Sequence, residues 1–342
     1  MKAIVLHEWG GPLSLEIAPD PSPGQGEVVL RVGACAPDQF DVTIRAGRAG
    51  GNLPLILGHE IAGEIVELGS GVEGWNIGDR TIVHAYLTCG RCRFCQIGRV
   101  TLCREFKGYL GVHENGGYAE YVRVPSRNLC HIPEGVGYAE ATTIVSPVAT
   151  PLKAIKTRAK IKPGESVVIV GACGGVGIHA VQIAKVFGAQ VIAVDIEDEK
   201  LDLARKLGAD HIVNAEREHF ADTVEEITAG KGANAVLELV GTEATLPKSF
   251  ACLATAGTLI IVGFQPGAVF ATDPTRFVTD EIAVIGSRYV NYAELAEAAD
   301  WVGAGRVKPV ISQTYPLAEA EDALADLAAN RIMGRAPIVL DT

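Results

Sequence analysis

Glu165-Ser166-Val167-Val168-Ile169-Val170-Gly171-Ala172-Cys173-Gly174-Gly175-Val176-Gly177 is the stretch on which the fold turns. Its first half is a nearly continuous β-branched run, the pattern of a strand buried on both faces. Small residues follow, and then a helical pattern over 177–187. Small residues let a backbone come close to a pyrophosphate, and the N–H groups that open the next helix can meet it. A second buried strand, Val191-Ile192-Ala193-Val194-Asp195, closes on an acidic residue about 20 residues further on. A carboxylate there accepts hydrogen bonds from an adenosine ribose and repels the extra phosphate of NADP. Lys200, one helical turn later, is placed to meet the same ribose. The pattern predicts NAD(H) as the coenzyme.

Outward from this unit, further strands are expected at 209–213, 235–239 and 258–262, with a charged helix at 198–207 and helical patterns between the strands. Strands alternating with helices predict a parallel, doubly wound sheet with right-handed crossovers. Before about residue 145 the character differs. Short apolar runs such as Val28-Val29-Leu30-Arg31-Val32, Ile61-Ala62-Gly63-Glu64-Ile65-Val66 and Tyr118-Ala119-Glu120-Tyr121-Val122 are separated by Gly and Pro, as in a compact β-rich domain. After about Ser287 come helices at 292–303 and 317–330 and a strand at 336–340, a tail expected to fold back onto the first domain. The fold class is α/β: a β-rich domain with an inserted Rossmann-type parallel sheet.

The bulk properties narrow the function. The 342 residues suffice for about two domains. A net charge of −11 with no basic run argues against nucleic acid as a partner, since a phosphate backbone is gripped by clustered Lys and Arg. Neither a signal peptide nor an apolar run of ~18 residues is found, so a cytoplasmic protein without a membrane partner is expected. In that compartment clustered cysteines read as metal ligands rather than disulfides. Cys89, Cys92, Cys95 and Cys103 form such a cluster. Four thiolates bind zinc tetrahedrally and leave no open position, so this zinc would pin a loop without touching a substrate. Arg91, Arg93, Arg99 and Arg104 are expected to offset its negative charge.

These features, together with Gly58-His59-Glu60-x-x-Gly63, Gly78-Asp79-Arg80 and Gly116-Gly117-Tyr118-Ala119-Glu120-Tyr121, resemble the zinc-containing medium-chain dehydrogenase/reductase superfamily, best known through the alcohol dehydrogenases. The similarity runs nearly end to end. It implies a catalytic domain of 1–147 and 288–342, a dinucleotide-binding domain of 148–287, an active site in the cleft, and a homodimer or homotetramer acting on a small molecule. It also implies coenzyme contacts from Thr150, Val240, Val262 and the pyrophosphate-binding Arg335, beside Ala172, Gly174, Gly175, Val176, Gly177, Asp195 and Lys200. A catalytic zinc would fall to Cys35, His59 and Glu60, with Asp38 orienting the histidine.

This chain departs from that pattern at three places. The third zinc ligand falls on Ser146, whose neutral hydroxyl is a poor donor. The hydroxyl and the histidine of the usual proton relay are replaced by Pro37 and Phe40. Two enzymatic readings follow. One is NAD(H)-dependent hydride transfer between nicotinamide and an alcohol or carbonyl, with a Lewis-acid zinc. The other is reduction of an activated C=C bond by NAD(P)H with only the structural zinc. A third reading is a non-catalytic NAD(H)-binding sensor.

Overall fold

In the computed structural model, which describes residues 1–340, the chain divides into two compact units. One comprises Met1–Ser146, Val290–Gly305 and the tail from Pro309; the other comprises Pro147–Tyr289 and Arg306–Lys308.

The first unit opens with β1 (Lys2–Leu6), β2 (Leu13–Ile17), β3 (Glu27–Ala36), β4 (Leu55–Ile56), β5 (Glu60–Leu68), β6 (Arg80–Val83), β7 (Tyr86–Leu87), β8 (Gly108–Tyr109), β9 (Tyr121–Pro125) and β10 (Leu129–His131). β1 pairs with β2 and β4, while β3 pairs antiparallel with β5 and β9. The expected strand at 61–66 forms the body of β5. β3 is the long central strand, and it stops where Pro37 withdraws a ladder N–H. Asp38 then caps the helix Gln39–Arg45. Its carboxylate accepts from Phe40 N and Asp41 N, and Asp41 Oδ2 accepts from Asp38 N in return, a complete capping box.

The second unit holds β11 (Ser166–Val170), β12 (Gln190–Asp195), β13 (His211–Asn214), β14 (Ala233–Glu238), β15 (Leu253–Ile261) and β16 (Ala283–Gly286). All pair in parallel, in the order β13-β12-β11-β14-β15-β16. Every residue of β11 is buried, as its β-branched run predicts. One face of the sheet carries a core of Val168, Val170, Ile192, Val194, Val236 and Leu259, packed with Phe220, Val224 and Phe250 from the helices. β13 begins later than expected because Gly208 and Ala209 still close the preceding helix through bonds to Arg205 O and Ala204 O. β16 was not expected. It is a short, half-exposed edge strand and lacks the apolar run of a central one.

The tail returns to the first unit. Tyr292–Gly303 is helical as expected, while 317–330 splits into a 3₁₀ turn, Leu317–Glu319, and the helix Ala320–Ala328. β17 (Tyr315–Pro316) and β18 (Ile338–Val339) extend the first sheet to β10-β6-β5-β3-β18-β17. β18 lies antiparallel to β3, with Ile338 opposite Cys35. Among the described residues, no helix is long and apolar enough to cross a membrane.

Candidate metal centres and coenzyme turn

Three distant segments meet at the end of β3. The β3–β5 ladder sets Ala36 opposite Glu60, so Asp38 and His59, just beyond the paired residues, face one another. β18 on the other flank delivers Arg335. Gly58, at φ +95°, makes the tight approach; a Cβ there would stand 2.5 Å from the Tyr118 ring and 2.7 Å from Cys35 Sγ. His59 Nε2 lies 3.5 Å from Asp38 Oδ2, and His59 Nδ1 lies 3.4 Å from Asp41 Oδ1. Arg335 grips Glu60 with both arms, Nε to Oε2 at 2.8 Å and Nη2 to Oε1 at 2.7 Å, and stands 3.7 Å from Asp38.

Nearly all of this is buried: Cys35, Asp41 and Glu60 fully, Arg335 and His59 almost so. Burial opposes an imidazolium, but Asp38 and Asp41 outweigh it and hold the His59 pKa well above its ordinary value. Burial likewise opposes the Asp38 carboxylate, and His59 and Arg335 reverse that, keeping its pKa far below normal. For Glu60 burial wins over Arg335 and the pKa rises. Burial, reinforced by Asp41 and Glu60, pushes the Cys35 thiol well up.

The donor atoms of Asp38, His59 and Glu60 lie within 4.8 Å of one another, a group one ion could reach; Cys35 is not in it. Asp38, Asp41 and Glu60 set three carboxylates against the single guanidinium of Arg335, an excess that a divalent cation beside a neutral His59 would cancel. His59 Nδ1, Asp41 Oδ1 and Tyr118 OH are buried with no well-formed hydrogen bond beyond the 3.4 Å ion-pair contact of Nδ1 with Oδ1, as in a site shaped for a further group. The residues therefore fit a divalent ion, with Asp38 in place of Cys35 in the group. Ser146 is buried in the helical turn Ile144–Val148. Phe40 stands edge-on to His59 at 5.8 Å between ring centres, so an apolar ring fills the relay position. Asp41 and Tyr118 are additions to the expected set. The Asp-x-x-Asp spacing of a capping box was the one sequence signal for Asp41.

The four clustered cysteines converge as expected. Four of their six sulfur–sulfur separations are 3.5 to 3.9 Å, and all lie within 4.8 Å. A tetrahedron with zinc–sulfur bonds of ~2.3 Å has edges of about 3.8 Å, so the cluster fits zinc. Arg91 pairs with Glu105 and also feels the charge of Cys89, and main-chain amides face the sulfurs as well, Cys92 N at 3.3 Å from Cys89 Sγ and Cys89 N at 3.4 Å from Cys103 Sγ. Amides of Arg104 and Cys95 lower the Cys92 thiol to about 6, while burial and neighbouring thiols lift Cys95 to about 12.

In the second unit the small-residue turn joins β11 to the helix Gly175–Val186, with Gly174 as its N-cap. A Cβ on Gly177 would stand 2.1 Å from Gly171 O, so only glycine lets the helix start this close to the strand end. Asp195 closes β12 and is tied to the turn: Oδ2 accepts from Cys173 N at 2.7 Å and Oδ1 from Ile196 N at 2.8 Å. Lys200 is mostly buried and pairs with Glu197 at 3.1 Å. Thr150 is buried in the helix Ala149–Leu152, while Val240 is 41% exposed beside the turn. The structure thus gathers Ala172, Gly174, Gly175, Val176, Gly177 and Asp195 at one sheet edge. Arg335 is engaged with Glu60 in the other unit.

Residues 24–134 match the family described as alcohol dehydrogenase GroES-like domain, and residues 175–304 match zinc-binding dehydrogenase. The chain is 35% identical to an NAD-dependent alcohol dehydrogenase of Sulfolobus acidocaldarius, over 98% of each chain. Among solved structures it is similar to AibC, with 35% identity and a TM-score of 0.94 over 100% of this chain and 96% of that one. It is also similar to a cobalt- and zinc-bound thermostable alcohol dehydrogenase from Pyrobaculum aerophilum, with 32% identity and a TM-score of 0.89 over 99% of each chain.

Proposed function

The chain belongs to the zinc-type medium-chain dehydrogenase superfamily, and we propose that it moves a hydride between NAD(H) and an alcohol or carbonyl substrate. The observation that carries this reading is the anchored Asp195, whose carboxylate is fixed by the very turn that would receive the pyrophosphate. Ala172, Gly174, Gly175, Val176 and Gly177 would cradle the phosphates and Asp195 the ribose, with Thr150, Lys200, Val240 and Val262 lining the rest. Cys89, Cys92, Cys95 and Cys103 hold a structural zinc. His59 and Glu60, with Asp38 in the group and Cys35 buried close by, would hold a second ion. When bound, that ion polarises a carbonyl or lowers the pKa of an alcohol.

The chain's own residues set the limits of the reaction. Arg335 keeps Glu60 oriented, and Asp41 faces the second nitrogen of His59. Phe40 and Pro37 carry no proton, so the proton must pass through solvent or the His59 cluster. That Phe40 ring is the observation favouring reduction of an activated C=C bond, which needs no alcohol relay. A homodimer or homotetramer in the cytoplasm is part of the proposal. Metal content and turnover test it together. Two zinc ions per chain and NADH oxidation with a ketone support the alcohol/carbonyl reading. One zinc, with turnover of an enone only, moves the assignment to C=C reduction.

A further inference from the structure

Glu238 ends β14 directly beside Val170 of β11 and is fully buried, although it carries a carboxylate. Its Oε1 accepts from Val240 N at 2.9 Å and from Gly241 N at 2.8 Å. Its Oε2 accepts from the hydroxyl of Ser249, also fully buried, on the helix Leu246–Ala251. The Glu238 carbonyl accepts from Val262 N and Gly263 N, both at 3.0 Å. One residue therefore joins the ends of β14 and β15 and the helix between them.

The two turns it joins are in backbone contact. A Cβ on Gly241 would stand 2.2 Å from Gly263 O, and one on Gly263 would stand 1.9 Å from Leu239 O. Leu239 N donates to Val170 O, and a Cβ on Gly171 would stand 3.0 Å from Val240 Cγ2. Val240 is thus held against the first residue of the small-residue turn, with its position set from below by a carboxylate that never reaches water. An apolar side chain of similar size would fill the space and avoid burying a charge, but it would orphan two main-chain donors and a hydroxyl.

We propose that Glu238 is a positioning residue for NAD(H). Its carboxyl group, through the amides of Val240 and Gly241, fixes Val240 as the rim against which the coenzyme is held, while its main-chain carbonyl sets Val262 beside it. This rests on the coenzyme reading given above. The role concerns coenzyme affinity and is separate from any general contribution to stability.

The test uses the full chain and NADH as the probe, with binding followed by nucleotide fluorescence and folding by circular dichroism and the unfolding midpoint. Glu238→Leu is expected to weaken NADH binding about tenfold. Glu238→Gln keeps an acceptor for both amides and is expected to stay within about threefold of wild type. A folded Glu238→Leu protein with wild-type affinity for NADH overturns the proposal, even if its midpoint falls. Should Glu238→Leu not fold, Ser249→Ala decides. A loss of about threefold supports the proposal, and unchanged affinity overturns it. A wild-type chain that does not bind NADH overturns the coenzyme reading and this inference together, whereas wild-type binding with unaffected variants overturns this inference alone.

Discussion

Arg335 holds both oxygens of Glu60, at 2.8 and 2.7 Å, across a separation of 275 residues. The pair is where the tail is fastened to the β-rich domain at the histidine centre, because β18 carries Arg335 past Cys35 on one side of β3 while β5 carries Glu60 past it on the other. A single ion pair thereby serves the sheet and the site at once.

Removing one member of that pair should be far worse than removing both. Arg335→Leu leaves Glu60 buried and unpaired and should cost about 3 kcal/mol or more in urea unfolding. The Arg335→Leu/Glu60→Leu double variant should recover most of the loss, since an apolar pair replaces a desolvated ionic one. Additive losses in the double variant would refute the coupling.

The cysteine loop should depend on its metal. Cys92→Ser is expected to lower zinc by one ion per chain and to open the loop. Arg91, Arg93, Arg99 and Arg104 are all exposed on or beside it, so limited trypsin digestion should then cut there first. Unchanged zinc content, or a variant loop as resistant as the native one, would count against a zinc-pinned structure.

How far the sequence carries the reading depends on whether a residue's role is local. The run 165–177, Asp195 and the four cysteines announce themselves, because strand period, turn chemistry and ligand spacing are written within a few residues of one another. Asp41 does not, since its meeting with His59 depends on the β3–β5 register. Arg335 resembled a phosphate-binding arginine in position along the chain, and only the β3–β18 pairing brings Glu60 to it. Glu238 sits inside an apolar strand pattern where a lone carboxylate reads as noise, and its partners lie in turns whose geometry no periodicity encodes. The edge strand β16 lacks the apolar signal of its neighbours for the same reason that it is half exposed.

Asp210 should make part of the stability depend on pH. It pairs with Lys185 at 2.8 Å and accepts from Val191 N at 2.7 Å, tying β12 to the end of the helix Gly175–Val186. Burial works against the carboxylate, but Lys185 and the amide prevail, and the pKa falls below its ordinary value. A depressed carboxylate contributes stability above its unfolded pKa of about 3.9 and loses it as pH falls through the folded value. At 37% exposure the pair is well screened, so the contribution should stay under about 1 kcal/mol. The stability gap between wild type and Asp210→Ala should be constant between pH 7 and 5 and narrow below about pH 4. A gap that widens on acidification would contradict the sign.

Asp195 offers the sharpest check on the coenzyme. Its two oxygens are already oriented by Cys173 N and Ile196 N, so the carboxylate meets a ribose without rearranging, and its charge stands where NADP would bring a phosphate. Asp195→Ala removes the ribose acceptor and the repulsion together. The KM for NAD should therefore rise about tenfold while that for NADP falls, narrowing the ratio of kcat/KM between the two by on the order of a hundredfold. Asp195→Asn separates the two effects, because the amide keeps a hydrogen-bonding group without the charge. It should retain most of the NAD affinity yet accept NADP better than wild type does. A preference for NAD that survives both substitutions would mean that discrimination resides elsewhere on the sheet edge.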